Sequence, residues 1–167
     1  MAARNNEPSK VQMLLGCPDI DINGYEDGIH CTALLAASSR GHVEVVKELL
    51  KNVNIDANMV STGCDNPLGK ASVEGNLEVI KELLWDARVD PNLKNRLGNT
   101  PLIMAVKAKQ IEATKLLLRC PRTDTTLKNN DDKTALDEAS GDNRLAIQSR
   151  PLLLAEGHTC TNEQGEQ

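Results

Sequence analysis

Aromatic side chains are almost missing from this chain: it has no Phe, one Tyr and one Trp, although 40% of its 167 residues are hydrophobic. Its interior must be built from Leu, Val, Ile, Ala and Met. Such side chains suit thin layers of closely packed short helices better than one large globular core. Long apolar runs are missing too. Nothing approaches the roughly 18 residues of a membrane-spanning helix, and the N-terminus lacks the apolar core of a secretory signal. Positive charge is short as well, with 19 Lys and Arg against 24 Asp and Glu and a net charge of −5. That balance argues against a general nucleic-acid or anionic-membrane surface, so neither is expected as a partner.

Paired cysteines are also lacking. Cys17, Cys31, Cys64, Cys120 and Cys160 are odd in number and form no C-x-x-C pair. In a chain of this length they read as reduced thiols, and the expected compartment is the cytoplasm or the nucleus. His30 and Cys31 are adjacent, but sequence neighbours rarely face each other as nucleophile and base, and no orienting acid is placed. The three histidines are scattered without metal-ligand spacing. There is no G-x-x-x-x-G-K-[ST] or G-x-G-x-x-G to cradle a phosphate. The chain is therefore expected to be no enzyme, with no cofactor, metal or small-molecule substrate.

What the chain does have is a repeat. Thr100-Pro101-Leu102-Ile103-Met104-Ala105 recurs at steps of 34 residues, as Asn66-Pro67-Leu68-Gly69-Lys70-Ala71, Thr32-Ala33-Leu34-Leu35-Ala36-Ala37 and Thr134-Ala135-Leu136-Asp137-Glu138-Ala139. A fixed period of this size signals stacked supersecondary units. Thr32, Asn66 and Thr100 suit helix N-caps, and Pro67 and Pro101 suit the first helical position. A short Ala-rich helix should follow, then a tight turn at Gly41 and Gly75, where a left-handed backbone costs a glycine little. Lys109 and Asn143 hold the equivalent turn positions, so the turn at Lys109 should be strained or differently shaped.

In the second helix of each unit, Val43, Val46, Leu49 and Leu50 follow helical spacing, as do Leu77, Ile80, Leu83 and Leu84. They should form one buried stripe. Between units lies an Asp-x-Asn mark (Asp21-Ile22-Asn23, Asp56-Ala57-Asn58, Asp90-Pro91-Asn92, then Asp124-Thr125-Thr126), whose side chains favour turns. Hairpin-like fingers are expected near residues 24–31, 59–65, 93–99 and 127–133.

These residues resemble the ankyrin-repeat family, whose signature is T-P-L-H-x-A. Thr100-Pro101-Leu102, Gly41-His42 and the paired leucines at 49–50, 83–84 and 117–118 carry the likeness. The family's His is replaced by Leu35, Gly69, Ile103 and Asp137, which removes its usual bond between neighbouring turns. The resemblance implies an all-α solenoid of stacked helix-turn-helix units with β-hairpin-like fingers. A single domain is expected over 1–156, with repeats at 21–55, 56–89 and 90–123. A truncated N-terminal cap would occupy 1–20, a C-terminal cap 124–156 and a polar tail 157–167. The chain opens mid-repeat, which suits either a truncated cap or a fragment of a longer array. Pro151 falls where the last helix should run, so that helix should stop or kink by Arg150, with Leu152-Leu153-Leu154 folding back on the stack.

Functionally, the resemblance implies a monomeric adaptor or scaffold that binds another protein through a concave face of fingers and first helices. Placing the sequence on the family pattern exposes Ile29, His30, Arg40, Thr62 and Val73 there. Glu74, Arg96, Leu97, Asn99 and Lys107 complete the set. Apolar Ile29, Val73 and Leu97 with a charged surround would make a binding centre and rim. The alternative is a structural spacer within a larger scaffold or channel. Family members are also hydroxylated on the Asn of L-x5-D-φ-N, which Asn23 fits and Asn58 and Asn92 fit loosely; turn-making alone is the preferred reading of these residues. Trp85 should lie on the outer side.

Overall fold

The structure, a computed structural model, describes residues 2–25, 31–61 and 65–155. Its elements are α1 (Pro8–Leu15), α2 (Ala33–Arg40), α3 (Val43–Leu50), α4 (Pro67–Glu74), α5 (Leu77–Trp85), α6 (Pro101–Lys107), α7 (Ile111–Arg119), α8 (Ala135–Glu138), α9 (Gly141–Gln148) and α10 (Arg150–Ala155). The first helices α2, α4, α6 and α8 lie side by side in one layer. The second helices α1, α3, α5 and α7 form the other, with α9 and α10 closing against α7. The two layers enclose one aliphatic core that includes Leu34, Val46, Ile80, Leu83, Leu102 and Leu117.

Local chemistry starts and stops each helix. The side chains of Thr32, Asn66 and Thr100 accept from the backbone N–H of Leu35, Gly69 and Ile103 respectively. Thr134 adds a reciprocal bond with Asp137, whose carboxyl the Thr134 hydroxyl holds below the ordinary range. Gly69 stands where the family has His, and here a side chain would collide: a Cβ would sit 2.9 Å from the Met104 sulfur of the next first helix.

Gly41 and Gly75 are left-handed, at φ 72° and 71°. Lys109 takes the same conformation at φ 59° and closes the same turn, Gln110 N–H donating to Ala105 C=O at 2.9 Å. The turn is thus of the ordinary shape and carries the strain of a residue with a Cβ. Replacing Lys109 by Gly is expected to raise the unfolding free energy by about 0.5–1 kcal/mol, or roughly 1–4 °C in Tm. Thermal unfolding checks this, and an unchanged or lower Tm would show an unstrained turn.

Two expectations need correction. Asn143 is not at the last turn but inside α9, where it is buried. α8 runs for only 4 residues, and the left-handed turn falls on Gly141, at φ 51°. Ala135, Leu136 and Ala139 still face the core, but Gly141 follows Lys109 by 32 residues where Lys109 follows Gly75 by 34, so the turn arrives two residues early. The buried stripe is also wider than one line of residues: Val45 and Val79 are fully buried beside Val46 and Ile80. A second helix here touches the first-helix layer and its neighbours in its own layer, so two faces are covered. The fingers are hairpin-like as expected, without regular strands among the described residues. Ser61 N–H donates to Asp65 C=O, Asn95 N–H to Asn99 C=O and Asn129 N–H to Lys133 C=O, and in the last two fingers Gly98 N–H to Asn95 C=O and Asp132 N–H to Asn129 C=O return the bond.

At the C-terminal end the helix does break. α9 stops at Gln148, and Pro151 is the second residue of α10, where its missing N–H costs nothing. α10 packs on α7, with Leu153 against the core. The tail at 157–167 lies outside the described residues.

Candidate binding surface

The fingers are positioned by three ladders of side chains that reach from one repeat to the next. The first uses the Asn of each Asp-x-Asn. Asn58 donates to Arg88 C=O at 2.7 Å and accepts from Asp90 N–H at 2.8 Å. Asn23 does the same with Asn54 and Asp56, at 2.8 Å for both bonds, and Asn92 with Arg122 and Asp124, again at 2.8 Å for both. Each Asp in turn fixes its own Asn backbone: Asp56 Oδ1 accepts from Asn58 N–H at 2.9 Å. Thr126 ends the series by turning back to Asp124, which lowers that carboxyl's pKa. These asparagines are therefore bridges between repeats as well as turn-makers.

The second ladder is arginine. Arg122 donates to Leu84 C=O and Val89 C=O, both at 2.7 Å, satisfying carbonyls at the end of α5. Arg88 does this for α3 through Leu50 and Asn52, and its bond to Asp86 keeps that carboxyl charged well below the ordinary range. Arg150 serves α7, donating to Leu118 C=O at 3.3 Å, and also bonds Thr123 C=O beyond it at 2.6 Å.

The third ladder crosses the helix turns. Asn76 donates to Ser38 C=O at 2.8 Å, Gln110 to Val73 C=O at 3.0 Å and Asn143 to Val106 C=O at 3.5 Å, while the His42 ring bonds Arg4 C=O at 3.2 Å.

The third and fourth fingers are then built alike. Asn95 Oδ1 accepts from Leu97 N–H and Asn99 N–H, both at 3.0 Å, and Asn129 Oδ1 accepts from Asp131 and Lys133, again at 3.0 Å. The fourth finger docks on the third through Asn130, which donates its backbone N–H to Leu97 C=O and its amide to Arg96 C=O, both at 3.0 Å. No sequence expectation singled out Asn95, Asn129 or Asn130. The signal was there, since Asn95 and Asn129 are one 34-residue period apart.

A family model described as ankyrin repeats (3 copies) matches residues 1–95 and 68–162. The chain belongs to the ankyrin-repeat family. Ankyrin repeats are generally protein–protein interaction modules, and the family is typically non-catalytic. No helix among the described residues is long and apolar enough to cross a membrane. Among those residues, no group of three or more His, Cys, Asp or Glu could hold a metal ion.

Of the residues expected on the ankyrin binding face, Ile29, His30 and Thr62 lie outside the described residues. Arg40, Glu74, Arg96, Leu97 and Lys107 are exposed, and Val73 is half-buried. Asn99 is not exposed as expected. It is 5% accessible, its N–H held by Asn95 and its side-chain oxygen accepting from Asn129 at 3.0 Å. It closes a finger and presents nothing to solvent. Lys107 is exposed but engaged, 3.2 Å from Glu138, whose carboxyl it holds low. Glu74 pairs with Lys70 at 3.4 Å within its own helix. Trp85 ends α5 and is 48% exposed, on the second-helix layer as expected.

Proposed function

We propose that this ankyrin-repeat chain is a non-catalytic adaptor or scaffold module, monomeric by itself and folded as one domain over 1–156. Its partner protein would be held across the fingers and first helices, with Leu97 as the apolar centre and Arg40 and Arg96 in the rim. The supporting observation is Leu97 itself, which is 63% exposed although its backbone N–H and C=O are both bonded within the finger pair. An apolar side chain displayed from a backbone already fixed loses little conformational freedom on binding, so more of its burial appears as affinity. Arg40 and Arg96 have no ion-pair partner among the described residues. Glu74 and Lys107, held by Lys70 and Glu138, have less to offer a partner.

The test begins with affinity purification from cells to identify what binds the wild type. The affinity of that partner is then measured for a chain carrying Arg40→Glu, Arg96→Glu and Leu97→Asp. A loss of at least about tenfold with an unchanged Tm is expected, equivalent to about 1.4 kcal/mol or more. Unchanged affinity would remove these residues from the interface and leave the spacer reading.

A further inference from the structure

Of the three bridging asparagines, one is followed by glycine. Asn23-Gly24 is the only Asn-Gly pair in the chain, whereas Met59 and Leu93 follow Asn58 and Asn92. An asparagine before glycine is chemically vulnerable, because the next backbone nitrogen approaches the amide carbon past no side chain. The Gly24 nitrogen attacks Cγ of Asn23, a cyclic imide closes and ammonia leaves. Water then opens the ring at either carbonyl and gives aspartate or isoaspartate. The balance is a water taken up and an ammonia released, with no oxidant and no enzyme.

In the folded chain both reacting groups are committed elsewhere. The Asn23 amide donates to Asn54 C=O and its oxygen accepts from Asp56 N–H, both at 2.8 Å. Gly24 N–H donates to Asp21 C=O at 3.1 Å, and Asn23 N–H to the Asp21 carboxylate at 3.0 Å. Ring closure needs the Asn23 side chain to swing back over its own backbone, which breaks the bonds to Asn54 and Asp56. Asn23 is half-exposed, so water reaches it once they open. The free energy of that local opening therefore sets the rate.

We propose that Asn23 is a site of spontaneous deamidation, gated by the rung it makes to the following repeat, and that its conversion loosens that rung irreversibly. The product can no longer donate. Where the Asn23 amide gives a proton to Asn54 C=O, aspartate sets an anionic oxygen against that carbonyl. The new charge also lies close to the Asp21 carboxylate, which already accepts from the N–H of the same residue. Isoaspartate routes the backbone through the former side chain and lengthens it by an atom, which shifts the turn. Asn58 and Asn92 make the same pair of bonds without the glycine, so the rung at Asn23 is the one that ages.

The test follows Asn23, Asn58 and Asn92 in the full chain by peptide mass spectrometry, with the isoaspartate form separated, at mildly alkaline pH with and without guanidinium chloride. In guanidinium, Asn23 is expected to convert at least about tenfold faster than Asn58 or Asn92. In the folded chain its rate should drop by at least about tenfold. Asp21→Ala, which releases the Asn23 N–H, should raise the folded rate by at least about threefold, each rate being taken relative to the same chain in guanidinium. Asn23→Asp, the direct product, is expected to lower Tm by about 2 °C or more. Equal conversion of the three asparagines in guanidinium, or equal folded and unfolded rates at Asn23, would overturn the proposal. So would an Asp21→Ala rate at the wild-type level, which removes the gate, or an unchanged Tm in Asn23→Asp, which removes the loosening.

Discussion

Replacing Leu83 by Ala is expected to cost about 2–5 kcal/mol of unfolding free energy, the range for emptying a buried Leu site. Leu83 is fully buried in α5, which packs against α4 within its own hairpin and against α3 and α7 on either side. The cavity would open where four helices meet. Against a total margin of about 5–15 kcal/mol, this is a large fraction of stability. At roughly 2–4 °C per kcal/mol for a chain of this size, Tm should fall by about 4–20 °C. Trp85, two residues on, supplies the contrast. It is half-exposed at the helix end, so Trp85→Ala should cost about 1 kcal/mol or less. Equilibrium denaturation of the two variants checks the pair, and similar costs would mean that α5 is not packed as described.

The second large effect belongs to a polar residue. Asn66 is buried and its side chain makes two unlike bonds: Oδ1 accepts from Gly69 N–H at 2.7 Å, and Nδ2 donates to Leu93 C=O in the next repeat at 3.1 Å. Asn66→Ala removes a cap worth about 0.5–2 kcal/mol. It also strands a partly buried carbonyl, at about 1–3 kcal/mol. A combined loss of about 2–4 kcal/mol is expected. Asn66→Thr separates the two terms, because Thr32, Thr100 and Thr134 already cap the other first helices. Thr should keep the cap, lose the bridge and recover roughly half of the loss. A Thr variant as unstable as the Ala variant would mean that the cap contributes little.

The two terms at Asn66 also mark the boundary of what could be read without coordinates. The cap is local: a residue with a side-chain oxygen, then Pro, then an Ala-rich run. Such signals placed the helix starts, the glycine turns and the break before Pro151. The bridge to Leu93 is not local, since its acceptor is a backbone carbonyl 27 residues away and any residue type could supply it. The same holds for Asn58 reaching Arg88 and for Arg122 reaching Leu84. Periodicity flags the donors but carries no sign of what they hold.

Burial was misread for a related reason. A single helical stripe describes a helix covered on one side, and α3 and α5 are covered on two, so Val45 and Val79 were left out. The C-terminal repeat departs from the constant period because its left-handed glycine, Gly141, comes two residues early and shortens the first helix. Of the residues expected to be exposed for binding, Leu97 and Arg96 reach solvent. Asn99 does not, because a finger must satisfy its own backbone before it offers anything to a partner.

The central claim is that each hairpin is stable because it covers its neighbours. Native-state hydrogen exchange on the wild type and on Leu83→Ala tests it most directly, because exchange resolves opening segment by segment. In a stack of nearest-neighbour interfaces, weakening α5 should lower amide protection in α2, α3, α6 and α7 as well as in its own hairpin. Protection lost from α4 and α5 alone, with the flanking helices unchanged, would contradict the account.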